Sequence, residues 1–224
     1  MNVRKIVDVI MFLLLLCLMA FHQTGRNIHE ILGMIMIICF VVHHILNYRW
    51  YKTIFKGKMN SRKLTYSIIN TLLLVCIFIL CLSGLTMSRL LPFLNFMPIA
   101  YARSVHMLTG YWGFIIMAVH LGLHIQVMCR TMQKRIESQH NLIKITMYYG
   151  VPFLLSIVGM IMFLKNDFLT YLLLGIRFSS FEESTFISFI MEYLSVFILF
   201  VIMTHFVFSY FVSTPKKKES NKNE

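Results

Sequence analysis

Nine histidines are spread unevenly along the 224 residues of the chain. His29, His43 and His44 fall in one apolar run, and His106, His120 and His124 in another. Each run contains a pair of histidines fourteen residues apart, His29 with His43 and His106 with His120. Fourteen residues turn an α-helix through about 1400°, roughly 40° short of four turns, so both members of a pair project from nearly one face. They stand roughly 21 Å apart along the axis, most of the roughly 30 Å hydrocarbon core of a bilayer. A glycine follows the first histidine of each pair by four residues, Gly33 and Gly110, so both runs read H-x3-G-x9-H. A glycine on the histidine face leaves room for a broad, flat group against the backbone.

The chemistry these residues can do follows from their depth. If one span separates the two runs, they cross the bilayer in the same direction. His29 and His106 then lie at one matched outer depth, and His43 and His120 at one inner depth. Imidazole is a normal axial ligand of haem iron. Two facing imidazoles at each of two depths is the arrangement for two haems with both axial positions filled, which favours electron transfer over substrate binding. A single histidine in a membrane helix ordinarily packs or hydrogen-bonds; the repeated spacing with its glycine is what points to ligation.

Other polar residues have places in this scheme. His44, His124 and His205 reach a similar inner depth. Each is an alternative ligand, a hydrogen-bond partner or a proton carrier for a quinone site, and a third haem between His44 or His205 and His124 is a further option. His22 and His140 fall at span ends or in loops and read as solvated or interfacial. Arg103 and Arg26 each precede an outer histidine by three residues and can reach anionic haem propionates, or can simply be topology charges. Arg49, Lys52 and Arg130 are the inner counterparts. Glu30 stabilises the start of a helix or accepts a proton from a quinol. Tyr111 and Trp112 read as interfacial anchors, with walling of the outer haem the alternative. Ser83 and Gly84 allow close helix approach. None of the five cysteines belongs to a CxxC or CxxCH motif, so they read as small buried apolar residues.

The elements that must carry these residues are membrane helices. The chain is 58% hydrophobic and 13% charged, far from the roughly 25% charged residues of a soluble domain. Apolar segments fall at 6–22, 28–48, 64–87, 103–128, 143–164 and 186–212, each near the roughly 20 residues that cross hydrocarbon as a helix. The net charge of +12 sits in short segments between these runs, which excludes a nucleic-acid-binding face. Six Lys and Arg lie in 49–63, four in 130–144 and four in the tail, against single charges or pairs in the alternate loops. By the positive-inside rule both termini are cytoplasmic. The first run follows Arg4 and Lys5 but ends without a small-residue cleavage site, so it reads as an uncleaved span.

The expectation is an all-α integral membrane protein of six transmembrane helices, with haems between the second and fourth. Residues 1–130 form a four-helix haem-binding core, and 131–214 add two helices with an outer interfacial or re-entrant segment at 165–185. Residues 215–224 form a disordered basic cytoplasmic tail.

TGRNIHEILG (24–33), HHILNYRWY (43–51), LSGLTMS (82–88) and ARSVHMLTGYWGFIIMAVHLGLH (102–124) carry a resemblance. Over residues 20–130 the chain resembles the flavinylation-associated cytochromes, a family of bacterial membrane b-type cytochromes. The resemblance implies haem b, electron passage across the cytoplasmic membrane, and an extracytoplasmic flavoprotein partner with covalent FMN. Membrane quinol is a candidate donor. No flavin-attachment or nucleotide-binding motif is present in the chain itself. Two other readings compete: a divalent-metal transporter built on clustered histidines, and an anchor subunit that uses haem only to hold its helices.

Overall fold

The computed structural model describes residues 3–54, 56–136, 146–175 and 185–213. His140, Arg177 and the tail from 214 lie outside the described residues, as does the side chain of Arg130. Among the described residues the regular structure is all helical, without strands.

The first helix, α1 (Val3–Met19), runs into α2 (Phe21–Leu46) through a reversal built on two residues. Ala20 is fully buried at the joint, and Gly25 breaks the helical path at φ 73°, ψ 168°. That conformation is essentially confined to glycine, because a Cβ would clash with the backbone. Thr24 Oγ1 donates to the Ala20 carbonyl at 2.9 Å and tightens the turn. A short helix, α3 (Arg49–Thr53), follows α2. The side chain of Asn60 then caps α4 (Ser61–Thr86) by accepting from Lys63 N at 2.8 Å. A loop with one 3-10 turn leads to the long α5 (Ile99–Ile136). A π-helical turn (Thr146–Gly150) feeds directly into α6 (Val151–Lys165), and α7 (Phe168–Leu172) and α8 (Phe186–Ser213) complete the chain.

Among the described residues, four stretches are long and apolar enough to cross a membrane: Phe21–Leu46, Ser61–Thr86, Ile99–Ile125 and Phe186–Tyr210. The other two expected spans are shorter helices, 17 residues in α1 and 15 in α6. Exposed apolar side chains run along the outward faces, as Ile31, Ile35, Ile38 and Ile45 do on α2. Their spacing makes one helical stripe, the pattern of a face turned to lipid.

The core sits between α5 and α8. Phe114, Phe168, Phe189, Tyr193 and Phe197 are almost completely buried there. Small residues set the closest crossings. A Cβ at Gly122 of α5 would lie 2.7 Å from the Val201 carbonyl, and one at Gly159 of α6 would lie 2.5 Å from the Ser195 carbonyl. Both crossings bring a helix backbone against α8 in the way glycine permits in membranes. The segment expected to be interfacial contributes α7, whose Phe168, Tyr171 and Leu172 are buried while Leu169 and Leu173 are exposed. Trp112 Nε1 donates to the Leu172 carbonyl at 3.0 Å, and Tyr111 stacks on Tyr171 with centroids 4.5 Å apart. Tyr111 and Trp112 are thus the fastening of α7.

Two helices pair differently. α4 packs along α5, while α2 makes its broad contact with α1 alone, and no residue of α2 is buried.

Candidate functional site

Where α2 meets α5, the contact is between imidazoles. The rings of His29 and His106 meet edge-on, with centroids 6.1 Å apart and planes 71° apart. A first-row metal binds imidazole nitrogen at about 2.0–2.1 Å, so one ion held between two imidazoles places the ring centroids roughly 6.3 Å apart. The observed separation is close to that figure.

The proton on His106 is fixed by its neighbours. His106 Nδ1 lies 3.2 Å from the Leu80 carbonyl and 3.2 Å from Ser83 Oγ. Ser83 Oγ itself donates to the Leu80 carbonyl at 2.9 Å. A carbonyl only accepts, so Nδ1 carries the hydrogen and Nε2 keeps a lone pair to offer. Gly84 completes the cradle: a Cβ there would stand 3.2 Å from His106 Cε1. Sequence reasoning marked Ser83 and Gly84 for helix approach, and the structure shows what approaches them. On the other side the ring of Phe21 meets His29 edge-on at 5.1 Å. The Leu18 carbonyl of α1 also faces His29, without closing a hydrogen bond to its buried Nδ1.

At the glycines of the repeat an added Cβ would have room. A Cβ at Gly33 would meet no atom within 4 Å, and one at Gly110 would meet only Leu80 Cδ1 at 3.8 Å.

At the outer end the two charged residues bind backbone. Arg26 Nη2 donates to the Met87 carbonyl at 3.0 Å. Glu30 Oε1 accepts from Ser88 Oγ, Arg89 N and Leu90 N at 2.6, 2.7 and 2.9 Å. Together they clamp α2 to the loop that follows α4. Arg103 sits one turn before His106 on α5.

The inner histidines are placed differently. His43 and His120 are near enough to influence one another electrostatically, but no ring contact joins them among the described residues. His43 Nδ1 lies 2.8 Å from Asp8 Oδ1 of α1. A carboxylate on Nδ1 is the usual outer partner of a metal-binding histidine, and it leaves Nε2 for the metal. His120 Nδ1 lies 2.9 Å from the Asn70 amide. With the Asn70 oxygen accepting from Trp50 Nε1 at 3.2 Å, its nitrogen donates to His120 Nδ1 and the Tyr66 carbonyl. That orientation puts the hydrogen of His120 on Nε2. Ligation through Nε2 calls for the amide to turn over and accept from Nδ1–H.

The remaining histidines have their own neighbours. His44 Nδ1 is held by Tyr51 Oη at 2.6 Å and packs on Phe40. His124 packs against His120 at 4.7 Å and Tyr66 at 5.2 Å, with Asp8 close enough to act on its charge. His205 is buried on α8 beside Phe206. Among the described residues no three of His, Cys, Asp and Glu converge on a position that can hold a metal ion.

Sequence reasoning passes over Asp8 and Asn70, and reads Tyr51 as an interfacial anchor. The signal for the first two was present: each is a polar residue within an apolar run, and such residues are rare in hydrocarbon without a task. Comparison with protein-family models, with curated proteins and with solved structures finds no match to this chain.

Proposed function

We propose that the chain is a six-span b-type cytochrome of a bacterial cytoplasmic membrane, with both termini on the cytoplasmic side. In this reading it holds two bis-histidine haems, His29 with His106 and His43 with His120, and passes electrons across the bilayer. The observation that carries the proposal is the outer pair: two imidazoles at axial-ligand separation, one of them fixed with Nε2 free. When bound, haem b supplies a one-electron carrier within the hydrocarbon. The chain's own residues do the rest. Leu80 and Ser83 orient His106, Asp8 orients His43, Gly33 and Gly110 leave space, and the surrounding apolar side chains exclude water.

The π turn at Thr146–Gly150 lengthens α6 toward a full crossing, and α1 packs beside α2 along its length, which supports counting both as spans. The resemblance over residues 20–130 supplies the partner in this proposal, an extracytoplasmic flavoprotein with covalent FMN. Membrane quinol is the proposed donor.

The test is a reduced-minus-oxidised visible spectrum of the purified protein, with haem quantified per chain. Two low-spin b haems are expected, and His29→Ala or His106→Ala removes one. A colourless protein made with ample haem refutes the proposal. An anchor role without electron transfer predicts that His43→Ala and His120→Ala leave electron transfer intact.

A further inference from the structure

The first turns of α4 and the loop before them carry a charge that the histidines do not use. Residues 49–63 hold six Lys and Arg and no acidic residue, and no Asp or Glu falls anywhere between Glu30 and Glu137. Among the described residues none of these six cations has a carboxylate within ion-pair distance. Positive charge is gathered at one end of an apolar helix without a described carboxylate to neutralise it.

The loop between α3 and α4 folds back on itself. Gly57 takes a left-handed φ of 78°. Lys63 Nζ donates to the Lys56 carbonyl, and Asn60 Oδ1 accepts from Lys63 N at 2.8 Å. Between this loop and α4 lies a groove of about 310 Å³, lined by Ile54, Met59, Ser67, Ile68, Thr71 and Leu72. Ile68 and Leu72 also belong to an exposed apolar stripe on α4 with Leu64, Val75 and Ile79. Such a stripe is the face a span turns to hydrocarbon, so the groove opens sideways to lipid. Lys63 precedes Ser67 by four residues and Thr71 by eight, which places it one turn above the first hydroxyl on the same helix face. Arg62 is exposed beside it.

The site has two parts, a cationic rim and an apolar groove with two hydroxyls below it. A water-soluble anion satisfies only the rim. A zwitterionic lipid or an apolar helix satisfies only the groove. A lipid with a negatively charged headgroup satisfies both. Resting on the reading of α4 as a span that starts at the cytoplasmic side, and not on haem, we propose that this groove holds one anionic phospholipid of the inner leaflet. Its phosphate lies against Arg62 and Lys63, and an acyl chain follows Ile54, Ile68 and Leu72. The chain exchanges one hydrocarbon surface for another and gains little. Selectivity therefore comes from the headgroup, at about fivefold per Lys or Arg near the membrane surface.

The experiment is native mass spectrometry of the full-length protein in mild detergent. It is titrated with phosphatidylglycerol, with phosphatidylcholine of the same chains, and with glycerol phosphate. One phosphatidylglycerol binds ahead of the rest, phosphatidylcholine binds more weakly, and glycerol phosphate does not displace the lipid. Arg62→Gln with Lys63→Gln lowers phosphatidylglycerol affinity by about 25-fold, two cations at about fivefold each. Arg62→Lys with Lys63→Arg keeps it. Arg4→Gln with Lys5→Gln removes the same charge from the start of α1 and leaves it unchanged. Thr71→Phe fills the groove and weakens the lipid without touching a cation; the exposed pair carries the test if that variant fails to fold. Equal binding of the two lipids overturns the proposal, as does displacement by glycerol phosphate, which makes the rim a free-phosphate site. So do an Arg62→Gln, Lys63→Gln protein that binds as wild type does and an Arg4→Gln, Lys5→Gln protein that loses as much. A lipid-free dimer that Thr71→Phe disperses seats a second copy in the groove and overturns it too. Haem per chain keeps the two proposals apart. A protein that selects phosphatidylglycerol without haem loses only the functional proposal, and a two-haem protein without that selection loses only this one.

Discussion

Substituting Gly84 tests whether His106 is a ligand without touching any ligand. The Cβ of an alanine at 84 would stand 3.2 Å from Cε1 and 3.5 Å from Nδ1 of His106. Carbon atoms prefer about 3.5–4.0 Å, so alanine asks the imidazole to retreat by roughly 0.3 Å or more. The Leu80 carbonyl and Ser83, on the same helix as Gly84, hold Nδ1 against α4, so the retreat stretches those bonds. The added methyls of valine reach further and overlap the ring itself. Overpacking of this kind costs about 1–3 kcal/mol. At about 1.4 kcal/mol per tenfold, outer-site haem affinity falls about 5-fold at the lower bound and about 150-fold at the upper. Alanine belongs near the first figure and valine near the second. The assay is haem per chain, together with the low-spin spectrum of what remains. Gly84→Val is expected to retain one haem and lose the other, with the inner site spectrally unchanged. Gly33→Leu is the companion, because a Cβ at 33 meets no protein atom. Its haem loss therefore reports a group lying against that glycine. A Gly84→Val protein that binds two haems as tightly as wild type refutes the assignment of His106.

His44→Ala and Tyr51→Phe are both expected to keep two haems, because Tyr51 holds His44 away from the ligand set; haem stoichiometry checks this against His43→Ala, which loses one. Gly159→Leu drives a side chain into the Ser195 carbonyl and Leu199 and lowers the thermal midpoint of the purified protein, by an overpacking cost of about 1–3 kcal/mol or more. Glu30→Ala leaves Ser88 Oγ, Arg89 N and Leu90 N without their acceptor, at about 1–3 kcal/mol for each that stays dry. Faster amide exchange at 88–90 reports the loss. In a cysteine-free background, a cysteine at Asn95 is labelled by a membrane-impermeant thiol reagent in intact cells and one at Gly57 is protected; the reverse pattern inverts the topology.

Apolar run length is a one-dimensional property, so the four long helices were legible at once. The ends were not. The reversal between α1 and α2 depends on the left-handed backbone of Gly25, and one glycine in HQTGR gives no sign of its φ. The repeated H-x3-G-x9-H pattern makes His29 and His106 neighbours in depth, and the structure brings their rings within 6.1 Å. Periodicity says nothing about what stands behind a ring. Leu80 acts through its carbonyl, which every residue possesses, and no pattern of side chains could mark it. Asp8 and Asn70 were legible in principle as polar residues in hydrocarbon. The histidine repeat contains neither of them. The charge of Arg26 left two readings open, a propionate partner or a topology signal; the structure gives its guanidinium a helix-end carbonyl.

The attachment of α2 has a consequence for how the protein is built. This helix leans on α1 and reaches the rest of the molecule through the clamp at Arg26 and Glu30 and through its histidines. Half of each proposed haem site is therefore made with the first hairpin, and the other half waits for α5. During synthesis the early hairpin stands in the bilayer with His29 and His43 unmatched until the chain beyond residue 120 has been inserted. If the proposed haems bind, one that joins the halves arrives last, and its binding energy ties the hairpin to the bundle. Loading would then be the closing step of assembly, and a chain that fails to load would keep its first two helices loosely held.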